Sequence, residues 1–198
     1  MKIRNVVVSA KLDRELNLEA VATSFMENTE HHSTASQILV YKLKRPRSLL
    51  FKFKDTTALL YRNGKIICVR ANSMKKAKKS VLKVAELLRR KGITVKNPKI
   101  EIENIVASAD LGSQIDLEGL YKKAGVTAST LIYEPEQFSA AIFRMEDPRV
   151  VFLIFPNGKT VCVGAKKIEE ARKAFKKLKR LLKENNACTT VGFNGSNI

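Results

Sequence analysis

Ile3-Arg-Asn-Val-Val-Val-Ser9 returns near the middle of the chain as Ile102-Glu-Asn-Ile-Val-Ala-Ser108, and the sequence that follows each copy also matches. Leu16-Asn-Leu-Glu-Ala-Val21 answers to Ile115-Asp-Leu-Glu-Gly-Leu120, and Ala58-Leu-Leu-Tyr-Arg-Asn-Gly-Lys65 answers to Leu153-Ile-Phe-Pro-Asn-Gly-Lys159. Ile67-Cys-Val-Arg-Ala71 pairs in the same way with Val161-Cys-Val-Gly-Ala165. A repeat of roughly 95 residues is far longer than the unit of a solenoid array, so it indicates two domain-sized halves related by pseudo-symmetry.

Within each half the pattern opens with a short β-rich run, Val6 to Ala10 or Ile105 to Ala109, and continues into an amphipathic helix, Leu16 to Met26 or Leu117 to Ala124. Three strand-like segments follow in the second half, Ala140 to Met145, Val150 to Phe155 and Lys159 to Val163, separated by the turn signals Glu146-Asp-Pro148 and Pro156-Asn-Gly158. Turns this short make an antiparallel meander. A long charged helix closes each half, Ser73 to Lys91 and Ile168 to Glu184; Ala171, Ala174, Phe175, Leu178, Leu181 and Leu182 give the second a continuous apolar face.

Those faces must lie on the sheet, which predicts an α+β fold in which two half-sheets join about a pseudo-twofold axis into one curved antiparallel sheet with helices on its convex face. Strand parity then makes the other face apolar too, because Val161 and Val163 point opposite to Cys162, and Val151, Leu153 and Phe155 opposite to Phe152 and Ile154. A sheet covered on one side is normally polar on the other. Its second face is therefore a binding surface, or else another layer covers it. Boundaries are expected at 1–97 for the first repeat and 98–186 for the second, with 187–198 an unstructured tail.

Composition narrows the partner. Across 198 residues, 37 Lys and Arg against 19 Asp and Glu leave a net charge of +18, which attracts polyanions and makes nucleic acid the default partner. Residues 1–99 hold 23 of the cations and 7 of the acids, and residues 100–198 hold 14 and 12, so the first half is much the more basic. No apolar run approaches the length that spans a bilayer, and Met1-Lys-Ile-Arg-Asn5 leads into a strand with no signal-peptide pattern, so the chain is expected to stay where it is made. Three cysteines, two of them at equivalent strand positions, read as reduced core thiols and not as a disulfide framework or a zinc site. Neither a cofactor nor a metal is expected. No carboxylate cluster, Ser-His pairing or phosphate-binding glycine loop suggests an enzyme.

The second half, through Asn104-Ile-Val-Ala-Ser108, Tyr133-Glu-Pro-Glu-Gln-Phe138, Phe143-Arg-Met-Glu-Asp-Pro-Arg149, Leu153-Ile-Phe-Pro-Asn-Gly-Lys159 and Val161-Cys-Val-Gly-Ala-Lys166, resembles the repeat of the TATA-box-binding protein family, particularly its archaeal form. The first half matches the same pattern more loosely. The resemblance implies a saddle whose concave sheet sits on the DNA minor groove and bends it. It further implies that Phe138 and Phe155, with Tyr61 and Pro46 in the first half, insert between base steps. Asn5, Val7, Leu59, Ile67, Val69, Asn104, Val106, Leu153, Val161 and Val163 would meet the groove floor. Lys52, Lys65, Arg144, Lys159 and Lys166 would meet phosphates, and Glu134, Glu136 and Gln137 would hold transcription factor B. Double-stranded promoter DNA, transcription factor B and the RNA polymerase pre-initiation complex are the partners so implied. The implied location is the cytoplasm of an archaeal-type cell, at the nucleoid, or the nucleus of a eukaryotic one. Whether a weak homodimer forms through the apolar face without DNA is left open.

Several positions depart from the family pattern. Lys42-Leu-Lys-Arg-Pro-Arg47 stands where the first half should supply a Phe, leaving Pro46 as the nearest apolar wedge, and Tyr61 replaces the second Phe. Val69 and Val163 stand where the family has Thr, and a lost hydroxyl contact there costs about 1 kcal/mol. Arg70 replaces a Gly, the hairpin before Tyr61 is two residues shorter than its counterpart, and the loop after the first helix is longer and carries His31 and His32. The primary expectation is a transcription initiation factor that binds and bends promoter DNA. The alternative is a divergent paralogue that regulates transcription mainly through protein contacts, with weak or non-specific DNA binding.

Overall fold

The computed structural model describes residues 1–26, 39–43, 48–122 and 130–189. The first repeat supplies β1 (Lys2–Lys11), α1 (Leu18–Met26), β2 (Leu39–Leu43), β3 (Ser48–Lys52), β4 (Thr57–Tyr61), β5 (Lys65–Ala71) and α2 (Met74–Arg90). The second supplies β6 (Lys99–Asp110), β7 (Gln114–Ile115), α3 (Leu117–Lys122), β8 (Leu131–Ile132), β9 (Ala141–Met145), β10 (Val150–Ile154), β11 (Lys159–Ala165), α4 (Ile168–Glu184) and β12 (Cys188–Thr189). Hydrogen bonding orders ten strands as β2-β3-β4-β5-β1-β6-β11-β10-β9-β8 in one sheet, and β12 pairs with β7 in a second.

The chain divides into two compact units that do not follow the repeat boundary: Asn5–Glu103, and Met1–Arg4 together with Asn104–Ile198. Each unit thus includes the start of the other repeat's first strand. In the unit spanning Asn5–Glu103, Leu49, Phe51, Ala58, Leu60, Ile66 and Cys68 are fully buried, as are Ala77, Val81, Val84, Ala85 and Leu88 of α2. In the other unit Phe152, Ile154 and Cys162 are buried with Ala171, Ala174, Phe175 and Leu178 of α4, and the Phe152 and Phe175 rings meet edge to face at 5.2 Å. Burial of this kind contributes about 1.5–3 kcal/mol for each large side chain, enough to fix which face of every strand lies under a helix. Burial also pushes the Cys68 thiol up to about 11 and that of Cys162 to about 12, so both stay protonated as small hydrophobes.

The repeat extends to details. Asn17 Oδ1 accepts from Glu19 N and Ala20 N to cap α1, and Asp116 Oδ1 accepts from Gly119 N to cap α3. The turn acid of each meander is tied to the long helix above it: Lys76 Nζ lies 2.7 Å from Asp55 Oδ2, and Lys177 Nζ 2.6 Å from Asp147 Oδ2. These hydrogen-bonded lysines, with Lys173 as a second partner for Asp147, hold both carboxyls below the usual aspartate value. Phe53 N donates to Thr56 O and closes a turn of Lys54 and Asp55. Its counterpart between paired Met145 and Val150 holds Glu146 to Arg149, which accounts for the shorter first-half hairpin.

The end of the chain corrects the reading of 187–198 as unstructured. Ala187 is buried and its carbonyl accepts from Asp116 N at 2.8 Å, while Cys188 and Thr189 pair with Ile115 and Gln114. A two-residue strand is too short to show periodicity. Residues 190–198 lie outside the described residues, as do Pro46, His31 and His32.

Candidate nucleic-acid interface

Opposite the helices, each unit presents rows of apolar side chains set by strand register. Leu50, Leu59, Ile67 and Ser9 are successive Cα partners across β3, β4, β5 and β1. Ile132, Ile142, Leu153, Val161 and Ser108 form the matching row across β8, β9, β10, β11 and β6. Arg144, Val151, Val163 and Val106 run beside it. Leu50, Leu59, Ile67, Val69 and Val7 are half-buried, as are Ile142, Val151, Leu153, Val161, Val163 and Val106, whereas the alternating positions Leu49, Leu60, Ile66, Cys68, Phe152, Ile154 and Cys162 are buried on the helix-covered side. Among the described residues no further layer buries this face. The predicted floor residues therefore lie together within each unit. Leu50 and Ile142 join them and were missed, although parity alone places them in these rows.

The aromatic positions are held by matching turns. Gly158 N donates to Phe155 O at 3.0 Å, Leu111 N to Gly158 O at 2.9 Å, and Asn157 Oδ1 accepts from Lys159 N at 3.1 Å. In the other unit Gly64 N donates to Tyr61 O at 3.0 Å, Leu12 N to Gly64 O at 3.0 Å, and Asn63 Oδ1 accepts from Lys65 N at 3.0 Å. Phe138 is 43% exposed and meets Phe155 edge to face with centroids 6.3 Å apart, so two rings stand at one end of the apolar rows. Tyr61 is half-buried. Glu134, Glu136 and Gln137 are exposed on a turn in which Gln137 N and Phe138 N both donate to Glu134 O. Lys52, Arg144, Lys159 and Lys166 are exposed and Lys65 is half-buried.

The two asparagines differ. Asn104 Oδ1 accepts from Gly164 N at 2.9 Å, which fixes the amide and leaves its two Nδ2 hydrogens for another acceptor. Asn5 Oδ1 is buried without a partner among the described residues. Gly164, at φ 109°, occupies a bulge between Val163 and Ala165 of β11, and the equivalent bulge of β5 is occupied by Arg70 at φ 66°. A side chain in this left-handed region costs about 1–2 kcal/mol. The sequence shows the Gly-to-Arg change but not its backbone consequence. Arg70→Gly relieves that strain against about 0.4–1 kcal/mol of added unfolded-state entropy, so a net gain of about 0.5–1 kcal/mol is expected. A thermal melt should rise by roughly 2 °C; a fall would place the strain elsewhere.

These features define an internally duplicated α+β protein with one helix-covered and one uncovered apolar sheet face. The family model described as "Transcription factor TFIID (or TATA-binding protein, TBP)" matches residues 1–91 and 99–185, and the chain belongs to this family. It is 36% identical over 185 residues to the TATA-box-binding protein of Methanothermobacter thermautotrophicus, covering 93% of this chain and 95% of that one. Identity to the TATA-box-binding protein of Methanocaldococcus jannaschii is 39% over 185 residues, covering 93% and 94%. The solved structure of Methanococcus jannaschii TBP superposes with a TM-score of 0.72 at 36% identity, covering 92% of this chain and 97% of that one.

Proposed function

We propose that this protein is a transcription initiation factor that binds promoter DNA through the uncovered sheet face, bends it from the minor groove, and presents Glu134, Glu136 and Gln137 to transcription factor B. The observation that carries this reading is the pair of apolar rows, one in each unit, with Phe138 and Phe155 standing at the end of one of them. An apolar strip fits the sugar-lined minor groove, where base edges display mainly acceptors; the free Nδ2 of Asn104 is a donor that suits them. The wedges lower the cost of bending by unstacking base steps. Val69 and Val163 keep the apolar contact but read no base edge. The first half, with Tyr61 and no Phe at its wedge positions, inserts more weakly and depends on charge.

Energy transfer between dyes at the two ends of a duplex tests the proposal. A TATA-containing duplex should bend on binding and a scrambled one should not. Equal binding to both without bending would instead support the paralogue that acts through its protein partner. Lys52, Lys65, Arg144, Lys159 and Lys166 as phosphate contacts predict that log affinity falls against log salt with a slope of at least about 4–5. A slope of one or two would reject these assignments.

A further inference from the structure

The two units differ in charge at the strand start that each takes from the other repeat. Met1–Arg4 belong with Asn104–Ile198, and Lys2 and Arg4 line an open cleft of about 740 Å³ beside Phe155, together with Ser108, Asp110 and Lys159. Arg4 Nε donates to Ser108 Oγ at 2.6 Å. Ser108 pairs with Val161 on the uncovered face, so the guanidinium is pinned at the edge of that face, and its remaining N–H donors find no partner among the described residues. The repeat places Glu101 and Glu103 where the first half has Lys2 and Arg4. In the other unit, accordingly, Ser9 Oγ donates to Glu103 Oε1 at 2.5 Å, and Glu101 lies 3.5 Å from Lys99. The next rim position reverses the order: Asp110 faces Lys159, whereas Lys11 faces Lys65.

We infer that Lys2 and Arg4 grip a backbone phosphate of the duplex in this cleft, that Glu101 and Glu103 repel one at the equivalent place, and that this contrast selects which unit takes which end of a nearly symmetric DNA site. The inference rests on the minor-groove reading above. A planar guanidinium held by one hydrogen bond and open on its other edge suits a phosphodiester, which a carboxylate cannot approach without loss. Contacts to the phosphate backbone position a protein without reading bases, so these pairs would alter orientation and salt dependence and not the readout of bases.

Cys188 is the one cysteine not fully buried, and it lies in the unit that holds the cleft, so an acceptor dye there reports which DNA end that unit occupies. Transfer is measured from donors placed at either end of one TATA duplex. The wild type should favour one end. The exchange Arg4→Glu with Glu103→Arg should shift the ratio at least about fivefold toward the other end, as expected for exposed charge contacts. Arg4→Gln, on an exposed strand end, should reduce the salt slope by about one with the fold intact. If the duplex still bends while the exchange leaves the ratio unchanged and Arg4→Gln leaves the slope unchanged, the inference is wrong. A wild type that bends no duplex overturns the minor-groove reading and this inference together.

Discussion

Phe155→Ala is expected to remove DNA bending while leaving the protein folded. In the free protein the ring is half-buried at the strand end and touches Phe138 edge to face, an arrangement worth about 0.5–1.5 kcal/mol beyond area burial. Its loss should lower the melting temperature by only a few degrees. As the proposed wedge, the same ring would stack against a base, worth about 1–3 kcal/mol, and hold open a step that costs a few kcal/mol to unstack. Affinity for a TATA duplex should fall on the order of a hundredfold, and end-to-end energy transfer should return to that of straight DNA. Phe155→Leu keeps an apolar wedge and should retain part of the bend. Tyr61→Ala should cost less, because a phenol must find a partner for its hydroxyl when it is pressed between bases. If Phe155→Ala bends DNA like the wild type, the ring is a core residue and the wedge assignment fails.

The features legible in the sequence are those that physics repeats over many residues. The strand alternation around Cys162 reveals both faces of β11 because period two needs only five residues to declare itself, and α4 is bounded as expected because its apolar stripe runs through Leu182. The Asn-Gly pairs at 63–64 and 157–158 mark hairpin tips through the backbone they require. What escapes depends on partners distant in sequence. The ends of β7 and β12 satisfy each other across more than 70 residues, and neither alone reads as a strand. The left-handed backbone at Arg70 is imposed by a bulge against β1, since arginine itself resists it. The exchange of Met1–Arg4 for Lys99–Glu103 is likewise invisible in either copy of the repeat, because it is a property of pairing and not of pattern.

Gly158→Ala should destabilise the protein by about 3–4 kcal/mol, and Gly92→Ala by only about 1 kcal/mol. The two glycines have nearly the same backbone, φ 79° and 75°, so each substitution carries a similar left-handed penalty. Their surroundings differ. A Cβ on Gly158 would stand 2.2 Å from the Ser113 carbonyl oxygen, a backbone atom that cannot swing aside, whereas Gly92 has nothing within 4 Å. Gly64 repeats the first case, with the Arg14 carbonyl oxygen at 2.3 Å. Thermal melts should therefore fall by roughly 6–16 °C for Gly158→Ala and Gly64→Ala and by about 2–4 °C for Gly92→Ala. Bending separates the first two below their melting range. Gly158 N donates to Phe155 O, so the displaced tip would turn the proposed second-repeat wedge, whereas Gly64 N donates to Tyr61 O and would disturb only the proposed weaker one. Equal loss of stability with a larger loss of bending in Gly158→Ala is the expected pattern. Equal bending in both would mean that the two repeats insert alike despite the change from Phe to Tyr.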